Sequence, residues 1–171
     1  MNRKISNGRS FLSLISLITW LLSSGCAHNS VLLDPPAIGP SNYFETSPAF
    51  KKALKAEPGS ADFERARIDY LLERIGKSPY NFFRNGTQYS GQRARVHLRW
   101  KYFLNRAAVK TAEDFISQVA TRSKMSGQSY LVEFPDKHRF SLDWILVREL
   151  KLLDQALQRE RNRLAHESET N

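Results

Sequence analysis

Seven side chains in the middle of this sequence have the types from which a small polar site is built: Arg84, Asn85, Tyr89, His97, Lys101, Ser123 and Ser126. An arginine offers a fork of donors that fits a carboxylate or phosphate, and a lysine offers a point charge. A histidine near neutrality can hold or pass a proton. If a hairpin at 82–89 runs straight into the next helix, Arg84, His97 and Lys101 converge beside the Ser126-Gly127 turn. The core of that constellation, Arg84, Asn85, His97, Lys101 and Ser126, is a candidate ligand-binding set. The competing reading is structural. Asn85-Gly86 serves a turn, Ser126-Gly127 ends a helix, and a histidine on an apolar face is a hydrogen-bonded core residue. A concave pocket with His97 in reach of a serine hydroxyl would favour an enzyme. A buried His97 bonded to backbone would favour a binding module.

A second chemical signal lies at the start. Arg3, Lys4 and Arg9 precede an apolar run, Phe11 to Leu22, and Ser23-Ser24-Gly25 supply small residues before Cys26. These are the parts of a secretory signal. The run is about a dozen residues, roughly 18 Å as a helix, against a hydrocarbon core of about 30 Å. Leu22-Ser23-Ser24-Gly25-Cys26 resembles a lipobox, with Ser23 where leucine is commonest. Its cysteine would receive a diacylglyceryl group and become the new N-terminus. Cys26 is the only cysteine, so the chain has no internal disulfide. The expectation is a protein of the cell envelope, lipid-anchored through Cys26 and facing the periplasm. Ala27 in place of aspartate points to the outer membrane by enterobacterial sorting rules.

Catalytic signatures are sparse. No Gly-x-Ser-x-Gly, Ser-x-x-Lys, His-Glu-x-x-His or glycine-rich phosphate loop occurs. Thr121-x-x-Lys124 has the second spacing with the wrong nucleophile. Nothing calls for a cofactor or a metal, and no residue is assigned a catalytic role. The formal charge is +9, or +6 once the three basic residues of the signal are removed. Nine basic residues against Glu113 and Asp114 fall between Arg84 and Lys124. Export disfavours nucleic acid as the partner, leaving anionic envelope components or another envelope protein.

The elements that must position these residues follow from periodicity and caps. Residues 26–59 read as a tether, punctuated by Pro35, Pro36, Pro40, Pro48 and Pro58, onto which Tyr43, Phe44 and Phe50 could dock. Ser60 caps a helix over Ala61 to Ile75, with Gly76 as its stop. Phe82 to Tyr89 is a hairpin around Asn85-Gly86. Ser90 caps a helix whose Ala94, His97, Leu98, Lys101 and Tyr102 share a face. Thr111 to Asp114 resembles a capping box opening another helix, broken at Ser126-Gly127. Tyr130 to Phe134 and His138 to Phe140 read as strands. Ser141 caps the last helix, with a charged, frayed tail over 158–171. The fold class is α+β: a single helix-rich domain over 60–157, with about four helices and a short two- to four-stranded antiparallel sheet.

The order of these features resembles the YfeK-like family of uncharacterised small exported bacterial proteins. The resemblance rests on Ile68 to Ile75, Ser78, Phe82, Arg84-Asn85-Gly86, Ala94, His97-Leu98, Lys101, Thr111 to Ile116, Ser123, Ser126-Gly127, Tyr130 and Trp144. It covers roughly residues 60–155 and implies export and a fold, with no reaction. Members of that family often carry a cysteine shortly after the position of Ser78. Tyr80 or a neighbour stands there in this chain, so the resemblance brings no disulfide to it.

Overall fold

The computed structural model describes residues 36–39 and 43–170. The signal-like segment and Cys26 lie outside the described residues. After a short 3-10 turn at Tyr43–Thr46 come α1 (Pro48–Lys55), α2 (Ala61–Lys77), β1 (Asn81–Arg84), β2 (Thr87–Ser90) and α3 (Gly91–Asn105). Then follow α4 (Ala112–Asp114), continuing as a π-helical stretch Phe115–Ala120, β3 (Leu131–Glu133), β4 (Arg139–Ser141) and α5 (Leu142–Glu169). The expected α+β class holds, with five helices and one antiparallel sheet in the order β2-β1-β3-β4.

Local chemistry sets most boundaries. Ser60 Oγ accepts from the amide of Phe63, and Ser90 Oγ from that of Arg93. Thr111 and Asp114 form a reciprocal capping box. Asn85 and Gly86 both have positive φ, 51° and 77°, the geometry that a two-residue hairpin needs. Gly91 is required for a different reason: a Cβ there would sit 2.3 Å from the carbonyl oxygen of Ile75. The start of α3 therefore lies directly on the end of α2. Buried Ile68, Leu71, Leu72 and Ile75 of α2 meet Leu142, Ile145, Leu146 and Leu153 of α5, Phe115 and Val119 of the π-stretch, and Val132 of β3 in one core.

Several expectations need correction. Gly76 does not stop α2, which runs to Lys77 and is capped by Ser78. The helix after Thr111 ends at Ala120, before Ser126-Gly127, and Gly127 serves the following loop with φ 70°. Ser141 occupies the N-cap position of α5 without a side-chain cap bond. Part of the expected tether is folded. Pro48 is the first residue of α1, where the missing amide costs nothing. Ser47 Oγ caps Phe50 and donates to Glu73 at 2.7 Å, Phe44 stacks on Tyr70 at 5.7 Å, and Ile38 is fully buried. The charged end does not fray at 158 either, because α5 continues to Glu169. Arg163 pairs with Glu160 and Glu167, one turn away on either side, and Arg161 donates to the carbonyls of Ala53 and Ala56 at the end of α1.

Candidate functional site

The sheet's inner face is fixed by register. Phe82 lies opposite Tyr89 on β2 and Val132 on β3, so Phe82, Arg84, Tyr89 and Tyr130 share one side of the pleat. Helix α3 crosses that side and presents Ala94, His97, Leu98 and Lys101. Between sheet and helix lies a cavity of about 210 Å³. Its walls are apolar, formed mainly by Phe82, Leu98 and Leu142, and its polar groups are Arg84, Arg93, His97, Tyr89 and Tyr130. The lining contains no serine, threonine, cysteine or carboxylate.

The polar groups divide into occupied and unoccupied donors. Lys101 is buried, and its ammonium donates to the carbonyls of Val119 and Arg122 and to the Tyr130 hydroxyl, 3.0 and 3.1 Å for the last two. Burial, with the charges of Lys124 and Arg84, pushes its pKa down to about 8. His97 Nε2 lies 3.3 Å from the same hydroxyl. Burial first, then the Arg84 and Lys101 charges, holds its pKa below the usual histidine value, which favours the neutral ring. Burial raises the pKa of Tyr130, against the charge of Arg84. Arg84 differs from its neighbours. Its Nε is buried without a hydrogen-bond partner, and among the described residues no carboxylate forms an ion pair with it.

The expected constellation is therefore split. Arg84, Tyr89 and His97 meet at the cavity, and Lys101 stands behind Tyr130. Asn85 and Ser126 are exposed and bond to each other, Ser126 Oγ to Asn85 Oδ1 at 2.6 Å, tying the hairpin tip to the 123–128 loop. Ser123 is buried, and its hydroxyl has no hydrogen-bond partner among the described residues. His97 satisfies neither criterion set from the sequence, since its ring meets a tyrosine hydroxyl rather than a serine or a backbone group. In the sequence Arg93 counts only among the basic residues of the 84–124 segment, a patch for anionic surfaces with Arg95, Arg99 and Arg106, and its place in the cavity lining was not read. Its signal was its spacing, one turn before His97 on the face leading into the pocket.

The model of the family of unknown function DUF5329 matches residues 62–154. The chain belongs to that family. The matched DUF5329 stretch contains all of the cavity lining and excludes Ile38, α1 and Cys26. The uncharacterised protein YfeK of Salmonella typhimurium is 39% identical to the chain over 68 residues, 39% of this chain and 57% of that protein. The chain thus spans little more than half the length of this curated relative. No solved structure matches it.

Proposed function

We propose that this DUF5329 member is a lipid-anchored protein of the bacterial cell envelope. Acylated Cys26 would hold it at the periplasmic face of the outer membrane, and its domain would be a binding module, not an enzyme. The observation that carries the binding reading is the Arg84 end of the cavity. There a half-buried guanidinium with an unpartnered Nε meets apolar walls in a lining without a carboxylate. An unpaired buried donor is costly, and an anion entering from outside would supply the missing acceptor. A lining without serine, threonine, cysteine or carboxylate supports binding over hydrolysis. The cavity is below the roughly 300–1,000 Å³ common for ligand sites, so the fitting class is a small carboxylate with a short apolar body.

Hexanoate is a suitable probe. At about ten times its dissociation constant it should raise unfolding stability by about 1.4 kcal/mol in the parent and not in Arg84→Met. Equal midpoints with and without hexanoate would remove the pocket reading. The anchor is tested separately. Cys26→Ala should move the chain from the membrane to the soluble periplasmic fraction, and salt-resistant attachment of that variant would contradict acylation.

A further inference from the structure

Helix α3 turns an apolar face outward. Val96, Trp100, Phe103 and Leu104, at i, i+4, i+7 and i+8, are each 58% to 60% exposed. The opposite side carries Leu98 and Lys101 into the core, so this helix has two apolar faces, and only one is covered within the described residues. Arg99 and Arg106 flank the exposed face along one edge, with Arg106 lying over the Phe103 ring at 4.9 Å. No acidic residue occurs in α3 itself, and Asp69 of α2 stands 3.6 Å from Arg99 in a solvent-exposed pair that leaves the guanidinium free to turn to a phosphate. Bulky apolar groups with basic residues beside them match a surface whose interior is apolar and whose rim is negative. A second copy of this chain fits poorly, because pairing the two faces would bring arginines against arginines.

We propose that the outer face of α3 docks on a lipid bilayer with anionic headgroups, inserting Trp100 and Phe103 to the headgroup–acyl boundary while Arg99 and Arg106 meet the phosphates. The surface is independent of the Arg84 cavity. It adds to any anchor at Cys26 an orientation: α3 against the bilayer, with His97 of the cavity lining beside the docked face, its ring 6.3 Å from that of Trp100.

The test uses the full chain with Trp20→Phe and Trp144→Phe, leaving Trp100 as the single tryptophan. It is added to vesicles of phosphatidylethanolamine and phosphatidylglycerol, with and without bromine on the acyl chains. Insertion about 5–10 Å below the headgroups should cost Trp100 about half its fluorescence in the brominated vesicles, and little in brominated phosphatidylcholine. Arg99→Glu/Arg106→Glu should lose most of that quenching, and so should Phe103→Ser, which keeps the charge and removes the neighbouring ring. Both variants change exposed residues, and unchanged circular dichroism would show that they remain folded. Equal Trp100 emission in brominated and plain anionic vesicles would overturn the proposal. So would a blue-shifted emission already present in buffer and unmoved by lipid, which would mean that another protein surface covers the face.

Discussion

Two cationic regions flank the core, and they are treated in opposite ways. On α2, Arg67 and Arg74 are buried and paired with carboxylates. Arg67 bonds Glu64, Glu113 and Asp154 at 2.7 to 2.8 Å in its closest contacts, which pushes its pKa up, and it holds the Glu113 carboxyl below the usual range. Arg74 pairs with Glu149 at 2.9 Å, both side chains nearly inaccessible, and the pair also binds the chain before α1: Glu149 accepts from the amide of Ile38, and Arg74 donates to the carbonyl of Gly39. Around α3 and β1, Arg84, His97 and Lys101 have no carboxylate partner among the described residues. Lys101 bonds to carbonyls and a phenol, and Arg84 Nε finds no partner among the described residues. The first region uses charge to fasten segments distant in sequence. The second places positive charge beside an apolar cavity without a carboxylate in its lining.

The largest expected effect is in the first region. Glu149→Ala leaves Arg74 buried and the Ile38 amide without its acceptor, and should cost about 3–5 kcal/mol in urea unfolding. Arg74→Met/Glu149→Leu should recover the part of that loss that comes from the uncompensated Arg74 charge, and not the part that comes from the Ile38 amide. A loss below about 1 kcal/mol for Glu149→Ala would erase the contrast.

A smaller effect is expected at Lys101, and its sign is set by linkage. With its folded pKa near 8 and an unfolded value near 10.5, the unfolded chain binds more protons between those limits, so stability should rise with pH there. After solvent screening the rise attributable to Lys101 should be about 1–2 kcal/mol, and Lys101→Met should flatten it. Tyr130 acts oppositely above about pH 10, since the folded state keeps its proton longer, so the comparison belongs below that pH. An unchanged slope in the variant would show that Lys101 is not desolvated.

The smallest effect belongs to Arg84. Arg84→Met breaks no internal ion pair and should move the unfolding free energy by less than about 1 kcal/mol. A much larger loss would mean that Arg84, like Arg74, is a fastener.

Legibility in the sequence followed the range of the interaction. Ser60, Ser90, the Thr111 capping box and Asn85-Gly86 act within a few residues, and each could be read directly. The α1 segment could not, because its prolines suggested extension while Pro48 sits at the one helical position that tolerates it. Burial of Ile38 depends on Glu149, far away in the chain. Arg67 and Arg74 did leave a trace: they repeat with Phe63 and Tyr70 on one stripe of α2, as Glu149 does with Ile145 on α5. Charged residues on an apolar stripe signal buried pairing. Arg84 with His97 was legible from the hairpin leading into α3. The separation of Asn85 and Ser126 from them was not, since it depends on the hairpin tip packing against the 123–128 loop, contacts that link segments distant in sequence.

The binding claim is tested most directly at His97. Its imidazole can be followed by NMR across pH and assigned by its loss in His97→Gln. Without ligand it should titrate below the usual histidine range, under burial and the charges of Arg84 and Lys101. With saturating hexanoate a carboxylate beside Arg84 offsets those charges, and the His97 midpoint should move upward in the parent and stay fixed in Arg84→Met. A midpoint unmoved by hexanoate in the parent would contradict an anion site at this cavity.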